Sequence, residues 1–535
     1  MIAGSGAGAG PLALTLARAG WQVTVLERGP AHDRRDYPRD ERRKRSFFLP
    51  DLSTERHHVV TAATHQPVAT DLGWIATCVG GGTVHMGAYL YRFHPEDFRM
   101  RSHFGSRYEL ADWPYSYEEL EPYYQQAEWA VGVAGSANLA PPLCGARSGD
   151  YPMPPLAAHP LAGRFETVAR ARGLHPFPTP RAINSRDYEG RSACSYCDVC
   201  AGYGCPTGAR GSSQETLIAA AESTGRCELR TEASVSEILI DAGGRASGFL
   251  YFDAEGQEQR VEGDLVCVCC SAVESARLLL LSRSRRFPDG IGNANGLVGR
   301  HLQFHGVSFG RGRLRRPLAD AEREGGSPFL GRSLLDHYFL PPNVGEIEKG
   351  GILRFFLPPP EPLADAEAEI TKSGSPLWGD ALCARLRARY RDALDIGFEV
   401  FHDFLPNAGT FVELDPDAQD SRGLPIARIH LDLPAHHRLA GRWLLDRGFE
   451  LLDDLGAEDL ETTDLGGTSS YLVEGSCRMG AEPATSVLDP FCRVHGVPNL
   501  FVVDGSCMPT SGGAPPTLTI LANSFRVADH IVRDL

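Results

Sequence analysis

The sequence predicts a mixed α/β fold in which one Rossmann-like lobe is assembled from both ends of the chain. Two observations carry this. At the start, Ile2-Ala3 reads as a strand, Gly4–Gly10 as a glycine turn, Pro11–Ala19 as a helix and Trp21–Leu26 as a second strand ending at Glu27. At the end, Asn499–Asp504 reads as an apolar strand closed by an aspartate, and Thr517–Ile531 as a last helix. The first strand is only a stub where about five residues are usual, so the true start is expected upstream of Met1.

The intervening elements follow in order. Arg28–Thr61 is charged and irregular, with Arg34-Arg35-Asp36 and Arg42-Arg43-Lys44-Arg45 expected on a solvated loop. A glycine segment, Cys78–Gly87, precedes Trp113-Pro114 and a helix over Tyr117–Val131. Proline-rich stretches at Pro141–Pro160 and Pro176–Pro180 read as crossing loops. Val235–Asp241, Ala246–Phe252 and Gln259–Cys269 read as strands, and Glu274–Leu281 as a helix. Residues 302–460 mix strands and helices without a motif.

Composition narrows the class. The chain has 535 residues, 42% of them hydrophobic, enough for two or three domains with a sizeable core, which excludes disorder over most of its length. Its 53 Lys and Arg against 68 Asp and Glu leave a net charge of −15, which argues against a nucleic-acid partner. No apolar run approaches the roughly 20 residues of a membrane helix; Leu265–Val273 is the densest. No secretory leader is visible, so a cytoplasmic location is expected, with periplasmic delivery by co-export with a partner as the alternative. Fourteen cysteines are too few for a disulfide scaffold of this size.

Gly4-Ser-Gly6-Ala-Gly8-Ala9 is a G-x-G-x-x-A motif between strand and helix. Gly4 permits the tight turn, Gly6 lets backbone approach a pyrophosphate, and Ala9 lets the helix pack on the sheet. Glu27 ends the second strand, where a carboxylate can accept ribose hydroxyls. The acid disfavours NADP and leaves FAD and NAD open.

Gly4–Gly29, Gly80–Gly87 and Gly475–Asp529 together resemble the glucose–methanol–choline (GMC) family of FAD oxidoreductases. The last stretch carries Gly475-Ser-Cys-Arg-Met-Gly480, Asn499–Ser506, Pro509-Thr-Ser-Gly-Gly513 and Pro516-Thr-Leu-Thr-Ile520. Within the family, bacterial sugar, sugar-alcohol and gluconate dehydrogenase flavoprotein subunits are the nearest in pattern. The resemblance implies an FAD lobe over residues 1–115, 190–300 and 465–535. It also implies a substrate lobe with an antiparallel sheet over 116–189 and 301–464. Gly81 and Gly82 would lie against the flavin, Val235 near the adenine, Asp504 near the ribityl–pyrophosphate end, and Thr517 beside the cofactor. His85 falls where some relatives tether FAD covalently and others keep an unbonded histidine. The implied activity is hydride removal from a CH–OH group of a sugar, polyol or related alcohol, by a dehydrogenase rather than an oxidase. Electrons would pass to an acceptor protein or small partner subunit.

Cys194, Cys197, Cys200 and Cys205 form a C-x2-C-x2-C-x4-C-P run, one residue longer at its end than the bacterial ferredoxin pattern. An iron–sulfur cluster, zinc and unmetalled thiols are the readings of this run. The family's usual catalytic pair, a histidine and a histidine or asparagine, falls on Leu472 and Pro515, neither of which accepts a proton. Tyr471 and His402 are the expected substitutes, with Glu474 and His305 as further candidates. Two other readings stay open: different flavin chemistry on a specialised metabolite, and a catalytically silent flavoprotein subunit.

Overall fold

The computed structural model describes every residue except 45, 75, 142, 198 and 316–326, with backbone alone for 463–470. Arg45 of the basic run, Pro142 of the proline-rich stretch and Asp198 of the cysteine run therefore lie outside the described residues. Mixed parallel and antiparallel sheets form the frame. A five-stranded parallel sheet runs in the order Leu500–Val502, Val266–Val268, Ile2–Ala3, Val23–Leu26, Cys227–Arg230. The two-residue first strand sits at its centre, with Ile2 opposite both Cys267 and Val25.

Two helices seal this sheet. Ala9–Arg18 buries Leu12, Leu14 and Leu16, and Thr517–Asp534 buries Leu518, Leu521, Phe525, Ala528 and Ile531, an apolar stripe at helical spacing. The first and last helices are joined where the Ser524 hydroxyl donates to the Gly8 carbonyl at 2.6 Å. The helix over Tyr117–Val131 forms as expected, capped by Ser116, whose hydroxyl accepts from the Glu119 N–H.

The second frame is a six-stranded antiparallel sheet, whose first strands in spatial order are Glu458–Glu474, Gln303–Arg315, Ala393–His402 and Gly351–Phe356. The 20-residue helix Ala435–Asp454 covers one face. Side chains alternate across a strand. In Ala393–His402, Ile396, Phe398 and Val400 therefore join Leu444 and Leu452 in the core under that helix. Gly397, Glu399 and Phe401 face the other way. Glycines on the neighbouring strand make room for the rings: a Cβ at Gly310 would stand 2.2 Å from Phe398, and one at Gly306 would stand 2.0 Å from His402.

Three expectations change, the first being that Phe177–Pro178, inside the expected Pro176–Pro180 loop, is the edge strand of the antiparallel sheet and pairs with Arg332–Leu334. Gln259–Cys269 is two strands rather than one: Glu258–Glu262 closes a three-stranded meander, and Val266–Val268 enters the parallel sheet. The charged stretch before Thr61 ends in a strand, His57–Thr61, paired in parallel with Pro425–Leu431. The basic run is not wholly solvated either. Arg42 pairs with Glu367 at 3.2 Å, and Lys44 pairs with Glu361. Among the described residues no helix is long and apolar enough to cross a membrane.

Candidate active site

A cavity of about 720 Å³ runs from the glycine loop of the parallel sheet to the open face of the antiparallel sheet. At its first end Gly4 adopts φ +93°, and a Cβ there would stand 2.3 Å from the Cys269 carbonyl oxygen. A Cβ on Gly6 would meet nothing within 4 Å, so this backbone opens directly onto the cavity. Gly81 stands over it, 3.4 Å from the Gly6 Cα by the same construction. The tightest helix-to-sheet approach belongs to Gly8, whose Cβ would stand 1.9 Å from the Val503 carbonyl oxygen, rather than to Ala9, which is buried off the cavity wall.

Glu27 reaches the cavity with both oxygens engaged: Oε2 accepts the Ser5 N–H at 3.1 Å and Oε1 the Gly29 N–H at 2.9 Å. The Ser5 hydroxyl also accepts the Gly80 N–H at 2.9 Å, coupling the two glycine segments. Burial raises the Glu27 carboxyl above its ordinary value despite these donors. Asp504 is held in the same way: Oδ2 accepts the Ser271 N–H and the Ser275 hydroxyl, and Oδ1 accepts the Ser506 N–H. Burial raises this carboxyl too. Gly82, Val235 and Thr517 also line the cavity, and Thr517 presents the N-terminal turn of the last helix.

His85 lines the cavity with its ring stacked on Phe48, centroids 5.1 Å apart, and Tyr471 meets it edge-on at 6.2 Å. Its buried Nε2 has no partner among the described residues, a vacancy that a bound cofactor atom can satisfy. Burial, with Arg210 nearby, lowers this imidazole to about 4. The open backbone at Gly6, the anchored Glu27 and Asp504, and the orphaned His85 nitrogen fit a dinucleotide flavin.

The opposite wall is apolar and aromatic. Val307 and Phe309 from one strand, Phe401 from the next, and Tyr89, Leu472 and Pro515 surround one carboxylate, Glu399. Both Arg354 contacts to Glu399, one through Nε at 2.8 Å, fall on the same oxygen, Oε2. The Arg354 guanidinium lies 3.8 Å above the Tyr89 ring.

The structure does not bring His402 to this wall. It points to the helix-covered face, fully buried between Gly306 and Gly441, with its Nδ1 3.2 Å from the Asp403 carbonyl. Tyr471 does reach the cavity. Glu474 and His305 are buried behind the wall, Nδ1 to Oε1 at 3.2 Å, with His305 Nε2 2.7 Å from the Ala514 carbonyl. They brace the two segments that carry Leu472 and Pro515. Glu399 is a cavity-lining carboxylate outside the expected site set, and strand parity is its signal: a strand that turns Phe401 to the cavity also turns Glu399 there and His402 away.

In this arrangement the four clustered thiols do not converge as a metal site: among the described residues no group of three ligands is placed to hold a metal ion. Each sulfur has a separate partner: Cys194 accepts the Tyr196 N–H, Cys197 donates to the Val199 carbonyl, Cys200 lies 3.3 Å from Arg181 Nη2, and Cys205 meets Thr207. Burial pushes the Cys200 thiol up, but Arg181 and Arg210 outweigh it and hold it below its ordinary value.

Buried histidines should weaken the fold at acid pH. Burial holds His402 well below its ordinary range and, with Arg478 nearby, brings His301 down to about 3. Below pH about 6.5 the unfolded chain binds protons at these rings that the native protein refuses. Stability should therefore fall as pH drops from 6.5 to 5, by up to about 1.4 kcal/mol per unit for each ring. His305 works the other way: burial lowers it, but Glu474 more than compensates and raises it. Melting temperatures of FAD-loaded protein across this range check the sign.

A nucleotide-cofactor lobe, closed by its own C-terminus and sharing a cavity with an antiparallel sheet, defines a flavin oxidoreductase architecture. The chain belongs to the GMC oxidoreductase family, whose N-terminal model matches residues 71–307 and whose C-terminal model matches 406–524. It is therefore an FAD-binding flavoprotein. It is 32% identical to the 2-methyl-1,2-propanediol dehydrogenase of Mycolicibacterium austroafricanum, over 100% of this chain and 95% of that one. It is 33% identical to the paromamine 6'-oxidase of Streptomyces fradiae, over 100% and 91%. Pyridoxine 4-oxidase from Mesorbium loti shares the fold with a TM-score of 0.63 at 16% identity, covering 100% of this chain and 99% of its own.

Proposed function

We propose that the protein oxidises a CH–OH group of a sugar, polyol or related small alcohol, using FAD held by Gly4, Gly6, Glu27, Gly81, Gly82, Val235, Asp504 and Thr517. One observation carries the reading: the cofactor cradle and a wall of small-molecule dimensions belong to the same cavity. Bound FAD supplies a two-electron hydride acceptor. The chain's own residues orient the alcohol against Tyr89, Phe309 and Phe401, exclude water with Val307, Leu472 and Pro515, and keep His85 uncharged beside the cofactor.

The relatives support the substrate class, since one is a 2-methyl-1,2-propanediol dehydrogenase and another a paromamine 6'-oxidase. We divide the lobes in the same way, although the antiparallel strand Glu458–Glu474 crosses the boundary at 464/465. Every strand of the parallel sheet falls within 1–115, 190–300 or 465–535, and Gln303–Arg315, Gly351–Phe356 and Ala393–His402 fall within 301–464. We assign dehydrogenase rather than oxidase chemistry, with electrons leaving to an acceptor other than oxygen.

Anaerobic mixing of the holoenzyme with a panel of sugars, polyols and simple alcohols should bleach the flavin absorption band. Reoxidation should be fast with an artificial acceptor and slow with air. A fully loaded protein that no panel member bleaches would overturn the alcohol reading in favour of other flavin chemistry or a silent subunit.

A further inference from the structure

We propose that Glu399 accepts the hydroxyl proton of the bound alcohol. The proposal rests on the oxidation reading and deepens it, because Leu472 and Pro515 offer no acceptor on the wall where one is needed. Five carboxylates line the cavity: Glu27, Glu274, Glu399, Asp420 and Asp504. In four of them both oxygens already accept from the protein. Glu27 and Asp504 are filled as described above. Glu274 divides its oxygens between His57 and Arg277, and Asp420 divides its own between Arg277 and the backbone N–H groups of Arg422 and Leu424.

Glu399 alone keeps an oxygen without a donor among the described residues, since Arg354 uses only Oε2. Its strand belongs to the same antiparallel sheet as Leu472, with Glu399 opposite Phe309. Arg354 is itself buried and packed between Tyr89 and Phe356. It fixes one edge of the carboxylate and leaves Oε1 to the cavity. Among the other cavity-lining residues, Trp74 Nε1 is also unpartnered but can only donate, and His85 sits across on the glycine segment against Phe48.

The step balances simply. The O–H bond breaks and its proton goes to Glu399 Oε1. The C–H bond breaks and its hydride, with two electrons, goes to FAD. The C–O bond becomes a carbonyl, leaving a neutral Glu399 that later returns its proton to water. The hydroxyl becomes strongly acidic as hydride leaves carbon, so a carboxylate oxygen in place suffices to take its proton.

Anaerobic stopped-flow reduction of the holoenzyme by the most active panel alcohol tests this, with FAD content measured for every variant. Glu399→Gln should load FAD and lower the reduction rate by about 10²–10⁴-fold, with loss of the acidic limb of the pH–rate profile. Glu399→Asp keeps the charge for Arg354 but draws the oxygen back, and should retain the limb at a reduced rate. It carries the test if Glu399→Gln fails to fold. Added formate should restore part of the rate to Glu399→Ala. A reduction rate within about threefold of wild type and an unchanged profile in Glu399→Gln or Glu399→Asp would overturn the proposal. So would a raised KM with intact kcat, which marks an anchor, or loss of the limb in His85→Gln instead. Failure of the wild type to bleach overturns the oxidation reading itself.

Discussion

Gly4→Ala is expected to yield protein that purifies without FAD and melts early. The backbone at Gly4 lies at φ +93°, where an L side chain is strained, and its new methyl would stand 2.3 Å from the Cys269 carbonyl oxygen. The conformational term alone is about 1–2 kcal/mol. The clash is with backbone of the sheet's own Val266–Val268 connection, which cannot rotate away. Either the turn leaves the strand or the two strands separate, and both destroy the pyrophosphate site. Gly6→Ala separates these effects. Its methyl enters open space on the cavity side, so the apoprotein should melt as wild type does while FAD affinity falls. Equal melting of the two apoproteins would sink the strain argument; equal FAD affinities would sink the cradle.

Lys349→Met should destabilise the folded protein by about 3–5 kcal/mol, read as a loss of denaturant midpoint in the FAD-loaded form. The ammonium is fully buried, pairs with Asp97 and lies 3.4 Å from Asp403, with the Tyr338 ring 3.9 Å away. Asp97 also accepts from the Tyr338 hydroxyl and the His94 N–H. Removing the cation leaves these carboxylates uncompensated in a dry interior. Arg172→Ala is the control. It breaks pairs with Glu450 and Asp454, but those side chains are about one-third exposed, and the cost should stay below about 1 kcal/mol. Comparable losses in the two variants would contradict the ledger of burial.

Local signals were legible where local chemistry decides structure. The glycine turn with Glu27 after the second strand, the helix over Tyr117–Val131, and the last strand and helix all lie where the sequence places them. Their patterns report burial on one face, and one face is what each element buries. What failed needed pairing across the chain. His57–Thr61 is a strand because Pro425–Leu431 lies beside it, and no period within its own residues announces that. Gln259–Cys269 splits because its two halves join different sheets.

The site divides in the same way. Glycines and acids of the cofactor end belong to contiguous motifs and are found at the cavity. His402 and Glu399 lie on one strand, and choosing between them required the phase of that strand, set by helix Ala435–Asp454 packing on its even-numbered side. Spacing of the four cysteines suggested convergence, but sulfur direction follows from loop geometry, and Arg181 and Arg210 draw Cys200 to themselves.

The closing strand of the parallel sheet, Leu500–Val502, and the helix Thr517–Asp534 have a consequence for biosynthesis. During translation the glycine loop emerges first, yet Asp504, Thr517 and the packing partner of Gly8 are made last. The nascent chain must hold Ile2–Ala3 and Val266–Val268 with an unfilled edge until release, because contacts this distant in sequence close late. FAD capture is therefore a post-synthetic event. Until release the nascent chain exposes the unpaired Val266–Val268 edge, a template for aggregation that Leu500–Val502 closes once the chain is complete.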